Sequence, residues 1–125
     1  MLTAIVIDDK WLTANSLCKM LTLFDIQAQH AASARAGVLM MKERTPDMVF
    51  LDVHMPGVDG FEFLKYIRQM PGFAELPIFV VTSDDQPETA QKMRSLGAWD
   101  ILIKPVMIDV LEETLARCKI IALPE

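Results

Sequence analysis

The sequence has few residues of the kinds that mark special classes of protein. Its two cysteines, Cys18 and Cys118, lie far apart, with no CxxC pair and no nearby histidine. They therefore predict neither a disulfide framework nor a zinc site. With five glycines and seven prolines among 125 residues, the chain is not collagen-like and not of low complexity.

Positive charge and long apolar runs are also scarce. Twelve lysines and arginines stand against seventeen aspartates and glutamates, a formal net charge of −5, so no basic surface indicates direct nucleic-acid binding. No apolar run approaches the roughly 18 residues of a membrane span. The start, Met1–Asp9, lacks the basic region and cleavage site of a signal peptide. These observations predict one soluble, cytoplasmic domain with no membrane partner.

What the sequence does contain is an alternation of short apolar runs and amphipathic stretches. The runs are too short for helices and are apolar at successive positions, which is typical of parallel strands covered on both faces. These runs are Ala4–Ile7, Met48–Leu51, Ile78–Val81 and Ile101–Ile103. A weaker segment, Gln27–Ala31, alternates polar and apolar residues and predicts an edge strand.

Helix periodicity and helix-boundary residues fill the intervals between these strands. The predicted helices have a buried face at Leu17, Met20, Leu21 and Phe24, span Ala34–Arg44 and Phe61–Gln69, begin near Pro87, and bury Leu111, Leu115 and Cys118. The predicted boundary residues are Ser33, Asp85 or Gln86 as N-caps, Pro46 and Gly97 as stops, and Gly60 as a positive-φ residue before the third helix. Strict alternation of strands and helices predicts an α/β fold with a doubly wound parallel sheet.

Polar residues stand where the predicted strands end. If the sheet order is 2-1-3-4-5, strands 1, 3, 4 and 5 are contiguous, and their carboxyl ends form the edge at which such sheets bind ligands. The residues at that edge are Asp8, Asp9, Asp52, Thr82, Ser83, Lys104 and Pro105. Each alone has a simpler explanation, such as a helix cap, an Asx-turn or a solvated lysine.

Taken together, these residues favour a chemical site. Three crowded carboxylates repel one another, and a cation offsets that cost. Oxygen ligands suit a hard divalent ion such as Mg²⁺. A lysine and a threonine hydroxyl beside a spare carboxylate suit phosphoryl transfer with aspartate as the nucleophile.

Four segments carry a resemblance to a known family. They are Ile7–Asp9, Leu51–Gly60, Val81–Ser83 and Ile103–Pro105. In this set the chain resembles the receiver domain of two-component response regulators, including the chemotaxis regulators. The resemblance implies a single flavodoxin-like three-layer domain over residues 1–122, with a five-stranded sheet in the order 2-1-3-4-5. Leu123–Glu125 would begin a linker, which favours a longer natural chain.

The resemblance also implies a function and a set of site residues. The domain would be a phosphorylation switch rather than a metabolic enzyme, with Asp52 taking a phosphoryl group from a sensor histidine kinase, a phosphotransfer protein or a small donor such as acetyl phosphate. Asp9, Asp52 and the backbone carbonyl of His54 would bind Mg²⁺ or Mn²⁺, with Asp8 acting through coordinated water. Thr82 and Lys104 would contact the phosphoryl oxygens, and the bond before Pro105 would be cis.

One position departs from the family pattern in a way that concerns the switch. Similar proteins commonly carry Tyr or Phe three residues before the strand-five lysine, and that ring follows the threonine hydroxyl; here the residue is Ile101. Val106 likewise stands where an aromatic is common. Phosphotransfer is unaffected by either change, but Thr82 and Ile101 form an unusual switch pair.

Several alternatives are weaker or stay open. A haloacid-dehalogenase-like phosphatase needs Asp-x-Asp after strand one, where this chain has Lys10, and a flavin or dinucleotide binder needs a phosphate-binding loop there. A contact-only pseudo-receiver would lack residues that are present. The side chain of His54 is expected to be exposed, and Trp99 either faces partners or covers the fourth helix. The output domain or downstream protein stays open, as does a homodimer through helix 4, strand 5 and helix 5.

Overall fold

Strands and helices alternate along residues 1–122, which are the residues that the computed structural model describes. The strands are β1 (Leu2–Ile7), β2 (Ile26–Ala31), β3 (Met48–Asp52), β4 (Ile78–Thr82) and β5 (Asp100–Ile103). The helices are α1 (Trp11–Thr22), α2 (Ala34–Glu43), α3 (Gly60–Gln69), α4 (Pro87–Ser95) and α5 (Ile108–Arg117). The predicted linker residues, Leu123–Glu125, lie outside the described part of the chain.

The strands of residues 1–122 form one parallel sheet in the order β2-β1-β3-β4-β5, which confirms the predicted fold. Strands β3 and β4 are buried at every position, as their continuous apolar runs predicted. In β2, the exposed Gln27 and Gln29 stand between residues that are buried or half-buried, which fits an edge strand.

Two apolar cores cover the two faces of the sheet. Alternate residues of β3 supply them: Met48 and Phe50 pack with α1 and α5, whereas Val49 and Leu51 pack with α2 and α3. The Phe50 and Phe79 rings stack with centroids 5.1 Å apart inside the first of these cores. Helices thus pack on both faces of the sheet, and in such sheets ligands bind at the carboxyl edge.

Most predicted helix boundaries are confirmed, and one is corrected. The Ser33 hydroxyl caps α2 by accepting from the Ala36 amide, and Gly97 follows α4 with a φ of +106°. Gly60 is not a positive-φ residue, so that prediction is wrong: it begins α3, where a Cβ would lie 2.4 Å from Cβ of Val53. Glycine is needed there because the helix approaches the β3 end closely, not because of backbone conformation.

Two further boundaries differ in detail. The carboxylate of Asp59 caps α3 by accepting from the Phe61 and Glu62 amides. Gln86 is the N-cap residue of α4 but makes no side-chain cap bond; Asp84 accepts from the Gln86 amide instead. Acidic residues thus order the loops before α3 and α4.

Candidate functional site

The polar residues predicted at the strand ends meet at the carboxyl edge of the sheet. Asp8 follows β1, Asp52 and Thr82 end β3 and β4, and Lys104 follows β5. The carboxylates of Asp8, Asp9 and Asp52 each place an oxygen within 4.8 Å of the others. Asp8 and Asp52 are buried, and Asp9 is exposed. The fold therefore brings together the three carboxylates that the sequence assigned to this edge.

Lys104 is the cation that faces the buried carboxylates. Its Nζ lies 3.3 Å from Oδ2 of Asp52 and 3.6 Å from Oδ2 of Asp8, and the Lys104 side chain is 15% exposed. Among residues 1–122, Oδ2 of Asp52 has no hydrogen-bond partner, so the ammonium is at ion-pair distance without hydrogen-bond geometry. The Lys104–Pro105 peptide bond is cis, as expected.

The buried carboxylates of Asp8 and Asp52 repel each other. Burial raises the pKa of Asp8, and the neighbouring charge of Asp52 raises it further, although the Lys10 amide and Lys104 act in the opposite direction. The Lys10 amide donates to Oδ1 of Asp8 at 2.9 Å. His30 on the edge strand also supports this loop, because its Nε2 lies 2.6 Å from the Asp8 carbonyl oxygen. The site holds more negative charge than its own lysine offsets.

The loop after β3 contacts two site residues at once. The His54 amide donates to Oδ1 of Asp52 at 2.9 Å. The His54 side chain is exposed, as expected, but its Nε2 lies 2.6 Å from Oγ1 of Thr82. Sequence reasoning missed this second contact, because strand adjacency alone does not fix the rotamer of the imidazole.

The loop after β4 is tied to Thr82 through Asp84. The Asp84 amide donates to Oγ1 of Thr82 at 3.0 Å, and the Asp84 carboxylate accepts from the Thr89 hydroxyl at 2.6 Å. Hydrogen bonds from Thr89 and then from the Gln86 amide lower the pKa of Asp84. Thr82 is thus linked, through one residue, to the first turn of α4.

The sequence alone did not decide the surroundings of two residues, one in β5 and one directly before it. Ile101 is half-buried, pairs with Val80 and packs against the core between the sheet and α3. Trp99 is 42% exposed, directly before β5. The Trp99 side chain is therefore accessible to solvent next to the start of β5.

A family model described as the response regulator receiver domain matches residues 4–116. The chain belongs to this family. A receiver domain is a phosphorylation-dependent signalling module of two-component systems and not a metabolic enzyme. The phosphatase and nucleotide-binding alternatives are therefore set aside. Within residues 1–122, no helix of this receiver is long and apolar enough to cross a bilayer.

Curated relatives support the same assignment. Protein PilH of Pseudomonas aeruginosa is 29% identical over 111 residues, covering 89% of this chain and 92% of PilH. The transcriptional regulatory protein AfsQ1 of Streptomyces coelicolor is 39% identical over 83 residues, covering 66% of this chain. This receiver spans nearly all of PilH but about a third of AfsQ1, since the match covers 35% of that protein.

Solved structures of similar proteins share the architecture. The chemotaxis response regulator CheY4 of Vibrio cholerae superposes with a TM-score of 0.86 at 28% identity, covering 94% of this chain and 98% of CheY4. A response regulator from Chloroflexus aurantiacus gives a TM-score of 0.86 at 27% identity, covering 94% of this chain and 96% of that one. The fold is therefore that of chemotaxis-type receivers.

Proposed function

We propose that this receiver takes a phosphoryl group on Asp52, with Mg²⁺ or Mn²⁺ at the neighbouring carboxylates, and changes conformation for a downstream output. One observation carries the proposal. The Asp52 carboxylate is 1% exposed, lies among two other carboxylates, and faces the Lys104 ammonium with an Oδ2 that has no hydrogen-bond partner among residues 1–122. A buried nucleophile with a free oxygen and an adjacent cation suits an incoming anionic group.

The donor set fits a hard divalent cation. Asp9 and Asp52 would bind it directly with the His54 backbone carbonyl, and Asp8 would act through coordinated water. Burial and then the neighbouring charge of Asp52 raise the pKa of Asp8, and a bound cation would offset that negative charge. When bound, the ion would neutralise negative charge on the transferring phosphoryl group.

Asp52, Lys104 and Thr82 would each have a different role in the transfer itself. A carboxylate oxygen of Asp52 attacks phosphorus and forms the new P–O bond, while the bond to the donor imidazole or to acetate breaks and its electron pair leaves with the donor. Lys104 Nζ, already 3.3 Å from Asp52, is placed to pair with a phosphoryl oxygen. The Thr82 hydroxyl, at the next strand end, can donate to another.

The direct test is intact-mass measurement after incubation with acetyl phosphate and Mg²⁺. The wild type should gain one phosphoryl group, and Asp52→Asn should gain none. Asp59→Asn is the matched control, because asparagine also caps helices and α3 should stay folded. An adduct of equal yield in Asp52→Asn would refute the assignment.

The wider role is also a proposal. A histidine kinase or phosphotransfer protein in the cytoplasm would supply the phosphoryl group, the domain would occupy residues 1–122, and an output domain or downstream protein would read its state.

A homodimer through α4, β5 and α5 is supported by exposed apolar side chains in or next to these elements: Trp99, Ile103, Ile108 and Val110. Light scattering, recorded with and without beryllofluoride, should then show a dimer of the wild type. Ile103→Asp should weaken this dimer.

A further inference from the structure

His54 joins the ends of two neighbouring strands, through its backbone amide at β3 and through its side chain at β4. Its backbone amide holds Oδ1 of Asp52, and its Nε2 lies 2.6 Å from Oγ1 of Thr82, a residue that is 0% exposed. Asp52 pairs with Val81 in the sheet, so Thr82 is the next residue along the adjacent strand. One residue therefore touches both the nucleophile and the hydroxyl beside it.

The hydrogen-bond capacity of Thr82 limits what this contact can be. A threonine hydroxyl has one proton to donate and two lone pairs that accept. The Asp84 amide already donates to Oγ1 at 3.0 Å. If His54 also donates, both lone pairs are filled and the single proton is left for a third group; if His54 accepts, that proton is consumed.

The states of imidazole favour donation by His54. Nε2 carries a proton in the Nε2–H tautomer and in the imidazolium, and lacks one only in the Nδ1–H tautomer. Nε2 therefore donates in two of the three states of the ring and accepts in one.

We propose that His54 is a positioning residue for phosphotransfer: its Nε2–H donates to Oγ1 of Thr82 and leaves the hydroxyl proton for the phosphoryl group on Asp52. This inference rests on the proposed function. Oxygens of a phosphoryl group on Asp52 would be acceptors at the β3 end, where Thr82 follows the residue that pairs with Asp52. The hydroxyl is then oriented before the phosphoryl group arrives, so less ordering is needed when it does.

The first test needs no phosphorylation. Nitrogen-15 shifts of the His54 ring, which distinguish the two tautomers, should show a protonated Nε2 in the wild type. Thr82→Val removes the acceptor and should shift this signal. A dominant Nδ1–H tautomer in the wild type would overturn the proposal.

The second test is a double-mutant cycle read by beryllofluoride binding in the presence of Mg²⁺. His54→Ala should weaken binding about threefold to tenfold, the range expected for one hydrogen bond. His54→Gln, whose side-chain amide can also donate, should restore most of it. In the Thr82→Val background, His54→Ala should cause no further loss, because the two residues act as a unit.

The outcomes separate this inference from the proposed function. Equal losses on His54→Ala with and without the Thr82 hydroxyl, or no loss at all, would overturn the positioning role while leaving phosphorylation of Asp52 intact. A wild type that neither binds beryllofluoride nor takes a phosphoryl group would overturn the proposed function and this role with it.

Discussion

Nζ of Lys104 lies 3.3 Å from Oδ2 of Asp52, yet the two do not form a hydrogen bond. The lysine side chain is 15% exposed and the aspartate side chain 1%. Attraction between such groups is screened little by solvent. The pair therefore holds a cation beside the proposed nucleophile without engaging the oxygen fully.

Lys104→Ala should leave Asp52 with an uncompensated buried charge. We expect the free energy of unfolding, measured by urea denaturation, to fall by about 1–3 kcal/mol. Phosphorylation by acetyl phosphate should persist in part, because the nucleophile remains, but the conformational response should be lost. Lys10→Ala is the matched control, since Lys10 pairs with Asp9 at 3.8 Å with a side chain that is 59% exposed. Equal destabilisation in both variants would contradict the assigned role of Lys104.

Asp8 offers a prediction about metal and stability. Its raised pKa means that the folded chain holds this proton more tightly than the unfolded chain does. Its contribution to stability is therefore favourable in acid and becomes a cost as the pH rises through the folded-state pKa. At neutral pH with EDTA, Asp8→Asn should raise the melting temperature by a few degrees.

Adding Mg²⁺ should reverse that order. The ion binds the folded state and stabilises it by mass action, so the wild type should gain stability and Asp8→Asn should gain less. Thermal unfolding monitored by circular dichroism, with and without Mg²⁺, measures both effects. A variant that gains as much from Mg²⁺ as the wild type would exclude Asp8 from the metal site.

Local pattern was sufficient to predict the sheet and the strand-end site. Continuous apolar runs identify β3 and β4 because both faces of a central parallel strand are covered, and the polar residue that ends each run then falls at the ligand-binding edge. Asp52, Thr82 and Lys104 follow from that rule. The Asp59 cap of α3 was also readable, since Asp59 and Glu62 have the spacing of a capping box.

What could not be predicted depends on contacts that form only in the folded chain. His54 and Thr82 are 28 residues apart and meet because β3 and β4 pair, while the reach of the imidazole depends on its rotamer. Gly60 is required by a close approach to Val53, which no local pattern encodes. Packing in three dimensions decided both.

Asp100 links three elements at the other end of β5. Its carboxylate accepts from Nη2 of Arg94 at 2.8 Å, from Nε of Arg117 at 3.2 Å and from the Ile101 amide at 2.8 Å. Burial acts to raise the pKa of Asp100, but the bonds from Arg117, Arg94 and Ile101 outweigh it, and the pKa is lowered. The ion pairs of Asp100 with Arg94 and Arg117, an ionic clamp, therefore contribute stability above the ordinary carboxyl pKa. That stability is lost as the pH falls through the lowered pKa of Asp100.

Asp100→Asn should lower the free energy of unfolding by about 1–2 kcal/mol near neutral pH, a modest value because both arginines are half exposed. The difference from the wild type should shrink in acid, where Asp100 itself becomes protonated. Urea denaturation across pH measures this, with Asp109→Asn on the exposed start of α5 as the control. A difference that does not change with pH would rule out the ionic clamp.

A receiver without a switch aromatic needs another way to report its state. Ile101 is β-branched, half-buried and packed against the core, so it is stiff at χ1 and has no ring to turn inward.

The last prediction concerns the alternative route, in which Thr82 is linked through Asp84 to Thr89 in α4. If the proposed function holds, phosphoryl contacts with Thr82 and Lys104 are the differential interactions that shift the equilibrium, and we expect the Asp84 link to carry them to the loop after β4. Beryllofluoride should therefore shift backbone amide signals strongly from Ser83 to Ala90, whereas the methyl signals of Ile101 should report one rotamer throughout. A rotamer change at Ile101, with little response in that segment, would instead support the usual coupling through strand five.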